Sequence, residues 1–300
     1  MLPGGGAGIE SVEWAALLLA DAGYVVVITK PQLGGSTASY STAVRAGIDF
    51  LLSQANPFAA ETDGLRVGGA GWSLGARSLV RAQEEDSRID AIVCWDNLAV
   101  SESGDAGSPS CQNTSGTVRV ARAPALGQAS DSCNNGIDSK KTGFTHWRAS
   151  GVACVQLVFA GTDHFLWSAS ATPAQHALAH QGTLAWFDRW LKNDLTATNR
   201  LLSCVTPSGT AGSILSTRFR SAAFIDGIDT PDLRADCLAP PACAGDLDGN
   251  GAVNTADLTA FLARFGAPAG PGDPADLNAD GAVNTSDLIV FLAAFGSACG

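Results

Sequence analysis

Three hundred residues, 46% hydrophobic and 16% charged, suffice to bury a core in one large or two smaller domains, which excludes a wholly disordered chain. The net charge of -11 excludes a nucleic-acid partner, which would need clustered Lys and Arg; more than half of that charge lies in residues 243–300, where seven Asp face the single Arg264. No apolar run reaches about 18 residues, so no transmembrane segment is expected.

Strand and helix signals alternate over the first 195 residues. Residues 9–22 carry a helical apolar stripe through Val12, Leu18 and Leu19, and Tyr24 to Ile28 is a β-branched run suited to a buried parallel strand. Val44, Ile48, Leu51 and Leu52 recur at helical spacing. Leu65 to Gly71 reads as a strand, Leu74 to Gln83 as a helix and Ile89 to Trp95 as a strand. Residues 101–120 are rich in Ser, Gly and Thr and read as loop. Strands are expected at Ala123 to Ala129 and Val155 to Ala160. Thr172-Pro173 then opens a helix, with Thr as N-cap and Pro at the first position. Such alternation predicts an α/β fold with a parallel sheet. Residues 196–242 are less regular and end in Ala239-Pro240-Pro241, a linker composition.

Gly71-Trp72-Ser73-Leu74-Gly75 has the form GxSxG between a strand and a helix. The glycines admit a sharp turn, and its strain lifts the Ser73 hydroxyl above the sheet at a helix N-terminus, as a nucleophile requires. A serine nucleophile needs a base and an orienting acid, in the chain order Ser, acid, His. His164, reached through Gly161-Thr162-Asp163 after a strand, is the expected base. His146 precedes that strand, and His176 and His180, four apart on a helix, read as a solvated face rather than a metal pair. Asp131 at the end of one strand is the favoured acid; Asp96, one strand earlier, is the alternative. Asp163 reads as a surface residue. Negative charge developing on a carbonyl oxygen needs backbone donors. The Leu74 amide is one, and the glycine loop Pro3 to Gly8 is expected to supply the other.

Residues 1–237 resemble the α/β-hydrolase superfamily, within it the cutinase-like polyester hydrolases and dienelactone-hydrolase relatives. The matching stretches are LPGGGAGIESVEWAALLLADAGYVVVIT, VGGAGWSLG, CWDNL, ASD, GTDH and TLAWFDRWLKNDL. The resemblance implies that Gly5 supplies the second oxyanion amide, and that Trp95, with Trp72 of the elbow, lines the substrate cleft, which argues against Asp96 as the acid. It also implies a disulfide between Cys204 and Cys237. The chain departs from the family pattern at Gly5, where an aromatic is usual, and at Gly75-Ala76, where a Gly pair is usual. Such a sheet normally has about three strands before its first helix, and no signal-peptide pattern precedes the glycine loop, so the start is expected to lie inside a longer coding sequence.

Residues 246–266 and 276–296 repeat one another at about two thirds of their positions. Each holds a twelve-residue acidic loop whose oxygens converge as a hard cation such as calcium requires. Asp246, Asp248, Asn250, Ala252 (through its carbonyl) and Asp257 are the expected ligands of the first, with Gly251 at the turn and Asn254 holding a water. Asp276, Asn278, Asp280, Ala282 and Asp287 are those of the second, with Gly281 and Asn284 in the matching places. An Asp closes each loop and one helix follows, so residues 243–300 resemble a dockerin joined through a linker at 238–242. The resemblance implies a cohesin-like or cell-surface partner touching Thr255-Ala256 and Thr285-Ser286, and a disulfide between Cys243 and Cys299.

Eight Cys without a CxxC pair read as disulfides and hence as an exported protein; Cys111–Cys133 and Cys94–Cys154 are the remaining pairs. The expected function is that of a secreted or cell-surface serine esterase with two structural calcium ions and no catalytic cofactor. Two alternatives stand beside it: an esterase that deacylates polysaccharide, and a non-catalytic anchoring protein with a degenerate hydrolase fold.

Overall fold

The computed structural model describes residues 1–32, 35–96, 98–100, 118–132, 142–202, 214–233, 245–248, 250, 252–269, 273–278 and 281–297. The chain divides into two compact units, Met1–Arg234 and Ala235–Gly300.

The first unit is α/β. After a short 3-10 turn at Ile9–Val12 come α1 (Glu13–Asp21), α2 (Thr37–Leu51), β1 (Val67–Trp72), α3 (Leu74–Glu85), β2 (Ile89–Trp95) and β3 (Ala125–Ser130). Then follow α4 (Thr142–Ala149), β4 (Cys154–Phe159), α5 (Pro173–Leu191), α6 (Ala197–Leu202), β5 (Ala222–Ile225) and β6 (Ile228–Thr230). The six strands lie in sequence order; β1 to β4 run parallel, and β5 and β6 add an antiparallel edge. β3 and β4 are buried at every position, as strands covered on both faces must be. The helix starts follow their local chemistry. Thr172 accepts the Gln175 amide, Gln175 returns a bond, and Pro173 fills the first helical position, as Thr172-Pro173 indicates.

The sheet differs from expectation in three places. Tyr24 to Ile28 is extended but forms no strand. Its ladder is two residues long, with the Met1 amine donating to Val27 O and the Thr29 amide to Met1 O. Val25–Val27 and Val67–Ala70 line, together with Ile48, Leu51, Phe187 and Leu191, a cavity of about 220 Å³. The β5–β6 hairpin falls in the stretch that reads as irregular; Asp226-Gly227, both at positive φ, form its two-residue turn. The Cys94–Cys154 pairing is overturned. Both cysteines are free and buried, on β2 and β4 with β3 between them. Two strand spacings are about 9–10 Å, beyond the reach of a disulfide. Burial pushes the Cys154 thiol up to about 12, so it stays protonated and inert. The other six cysteines, and with them the Cys111–Cys133, Cys204–Cys237 and Cys243–Cys299 pairings, lie outside the described residues. No helix among the described residues is long and apolar enough to cross a membrane.

The second unit carries the repeat. α7 (Thr255–Leu262) and α8 (Thr285–Ala294) are capped by Asn254 and Asn284, each in a reciprocal box with Asp257 or Asp287. Neither repeat closes a core alone. Phe261 and Phe291 stack at 5.4 Å over Val253, Val283 and Ala275, all fully buried. The backbone repeats the symmetry: Gly266 N donates to Val283 O and Gly296 N to Val253 O.

Candidate active site

The elbow follows from what its glycines allow. A Cβ at Gly71 would meet the Gly75 carbonyl carbon at 2.7 Å, and one at Gly75 would meet Pro3 O at 2.6 Å. The tight β1–α3 turn therefore needs glycine on both sides. Between them Ser73 adopts φ 57°, ψ -115°, a left-handed backbone that a serine enters at a cost of about 1–3 kcal/mol. It is half-buried, and its amide is anchored on Trp95 O at 3.1 Å.

Leu2 ties the glycine loop to β1: its amide donates to Ala70 O, and its carbonyl accepts from Trp72 N. Tyr40 Oη donates to Gly4 O at 3.1 Å, and Gly6 turns at φ 74°. Gly5 packs on Leu74, whose Cδ2 would lie 3.2 Å from an added Cβ. The two oxyanion candidates are thus neighbours. The Leu74 amide lies in the first turn of α3, where amides have no intrahelical acceptor.

His164 stands in the loop after β4, past Gly161 at φ 64°. Its Nδ1 bonds to Asp96 Oδ2, so the carboxylate that meets the candidate base is Asp96, the alternative of the two acids, and not Asp131. Asp96 is 5% exposed, sits at φ 76°, and anchors its amide on Gln128 O at 2.7 Å. That backbone carries the carboxylate off the end of β2 toward the β4 loop. Asp131 instead braces the loop from behind: Oδ1 accepts from Thr162 N at 3.3 Å, and Oδ2 from Ser216 Oγ at 3.2 Å. Asp163 is exposed and accepts from Phe165 N, as a surface residue.

Both aromatics expected at the cleft are buried. Trp95 is fully buried, its indole donating to Thr183 Oγ1 and its ring 5.1 Å from Trp14. Trp72 is 6% exposed beneath the glycine loop. Beside His164 an exposed aromatic is instead Phe165, 55% exposed and edge-on to the His164 ring, which sequence reasoning missed. Its place directly after the candidate base was the available signal. The His176–His180 face is not solvated: both rings stack on Trp14, and His176 Nε2 bonds to Ser168 O.

Burial by itself lowers the His164 pKa, but the hydrogen bond and charge of Asp96 outweigh it and leave the imidazole above the ordinary histidine value. A base acts only when neutral, so activity through His164 is expected to rise with pH along a limb centred above that value. In Asp96→Asn the limb of the residual activity should move to lower pH, because the Asp96 charge that favours the protonated ring is gone while burial remains. A pH profile of kcat/KM for both proteins checks this, and an unmoved limb would contradict it.

In the first acidic loop, carboxylate oxygens of Asp246, Asp248 and Asp257 lie within 4.8 Å of one another. Asp257 is buried and takes amides of Leu247, Asp248 and Asn254, which hold it at the loop's centre. Hard oxygens so gathered fit a calcium ion, and Asn250 and the Ala252 carbonyl lie in the same loop. Asp287 repeats the pattern with amides of Asn278 and Asn284; Asp276 accepts from Gly281 N, and Ala282 O from Asn284 Nδ2. Asp280 lies outside the described residues. No protein-family model matches the chain, and no curated protein matches it.

Proposed function

We propose that this chain is a secreted carboxylic-ester hydrolase of the α/β-hydrolase type, with a dockerin-like calcium-binding tail. The observation that carries this reading is the bond from His164 to the buried Asp96 carboxylate, in a loop whose His164 main-chain oxygen is held by Trp72, the residue directly before a serine in a left-handed backbone. Asp96 fixes the tautomer with the proton on Nδ1 and stabilises the imidazolium that forms. His164 Nε2 takes the Ser73 proton as Oγ attacks the ester carbonyl. The amides of Gly5 and Leu74 hold the oxyanion. His164 returns the proton to the leaving alcohol, and water, activated by the same nitrogen, releases the acid and Ser73.

In the tail, Asp246, Asp248, Asn250, Ala252 and Asp257 would hold one calcium ion, and Asp276, Asn278, Asp280, Ala282 and Asp287 a second. Their contribution is to folding and not to the chemistry. Thr255 and Thr285, with the exposed pairs Leu262 and Leu292, Phe265 and Phe295, offer a duplicated surface to a cohesin-like partner.

A fluorophosphonate probe tests the catalytic reading, because it labels only an activated serine. Peptide mapping is expected to place the adduct on Ser73, with none in Ser73→Ala. A folded chain that takes no label would make the hydrolase fold a degenerate one and defeat the proposal.

A further inference from the structure

Trp72 ends β1 and precedes Ser73, so its backbone is part of the elbow. Its amide donates to Leu2 O at 3.1 Å, at the root of the glycine loop. Its indole runs beneath that loop: a Cβ on Gly4 would meet Trp72 Cε3 at 2.7 Å, so glycine alone leaves room for the ring. At its far edge Nε1 donates to the main-chain oxygen of His164 at 3.0 Å. The same ring lies 5.3 Å from the His164 imidazole and 6.3 Å from Phe165. One rigid side chain therefore spans the three parts that must keep register: nucleophile, oxyanion loop and base. At 6% exposure it offers a substrate almost no surface.

We propose that Trp72 is a positioning residue, whose indole clamps the His164 loop and the glycine loop in fixed relation to Ser73; this rests on the esterase reading. His164 is then held at three points. Asp96 holds the ring by Nδ1, Trp72 holds the main-chain oxygen, and Asp131 holds the Thr162 amide two residues upstream. Asp96 alone leaves the ring free to swing about the axis of that bond. The indole donor blocks the swing by fixing the backbone that carries the ring.

The test compares Trp72→Phe, which keeps an aromatic ring and removes the donor, with Gly4→Ala, which keeps the indole and its donor but displaces the ring. Each variant is assayed with a small nitrophenyl ester, for its rate of fluorophosphonate labelling, and for melting temperature. In both, kcat and the labelling rate should fall together by about 10- to 100-fold, while KM moves less than about threefold, because misplacement acts on the reacting geometry and not on binding. Phe165→Ala, which leaves the indole bond intact, should raise KM more than it lowers kcat. If Trp72→Phe does not fold, Gly4→Ala carries the test alone. A variant set with raised KM and unchanged kcat would make Trp72 a substrate contact. A lowered melting temperature with both constants unchanged would make it core packing; either result overturns the proposal. Failure of the esterase reading itself is told apart because the wild-type chain would then take no label.

Discussion

Asp96→Asn is expected to lower ester hydrolysis by about 10³- to 10⁴-fold, the scale on which losing the orienting acid acts. Asp131→Asn should retain activity to within about tenfold. The contrast follows from what each carboxylate touches. Asn at 96 cannot accept the Nδ1 proton in the same way as a carboxylate, nor stabilise the imidazolium. At 131 the side-chain oxygen of Asn still accepts from Thr162 N, and its amide still meets the Ser216 hydroxyl. Ser73→Ala should abolish turnover. Assays of the three variants with a nitrophenyl ester, alongside circular dichroism to show that each is folded, check the order. Asp131→Asn as damaging as Ser73→Ala, with Asp96→Asn mild, would mean that the bond to His164 is not the one that works.

The second large effect is expected in the tail. If the acidic loops hold calcium as proposed, removing it from the full chain should unfold the second unit and leave the first intact. Among the described residues the core of the tail is five buried hydrophobic side chains, too few to hold acidic loops against their own repulsion. An ion present at about 1,000 times its dissociation constant adds about 4 kcal/mol to such a fold. All seven Trp lie between positions 14 and 190, so tryptophan fluorescence reports only the first unit. Chelator should leave that signal and the esterase rate unchanged, while the tail becomes open to a protease and part of the helical signal is lost. Calcium in excess should restore both. Titration should give two ions per chain, falling to one in Asp257→Ala. A tail that stays protease-resistant in chelator would show that its apolar contacts suffice.

Much of this was legible locally. The turn around Ser73 requires Gly71 wherever the rest of the chain lies, because the clash is with backbone a few residues away, whereas Gly75 is required by the approach of Leu2 and Pro3 from the start of the chain. Thr172-Pro173 and the Asn254 and Asn284 caps likewise bond within three residues of themselves. The repeat needed only comparison of the chain with itself, and its symmetric pairing follows because equal segments solve the same burial problem equally.

What remained illegible depends on contacts made across the sheet. Asp96 and Asp131 end neighbouring parallel strands with similar local chemistry; which one reaches His164 is decided by a single positive φ at Asp96, which strand propensity does not record. Trp95 is indistinguishable from a cleft aromatic until Trp14 and Thr183, from two other elements, enclose it. Cys94 and Cys154 form an even pair in composition, and the strand between them keeps them apart. The His176–His180 spacing suits a solvated helix face until Trp14 covers it. By itself, the sequence determined the α/β alternation, the nucleophile turn and the duplicated acidic loops, since each is a requirement the backbone places on nearby residues. Only the tertiary structure decided which carboxylate meets His164 and which aromatics are buried, since each depends on which distant side chain arrives first at a shared space.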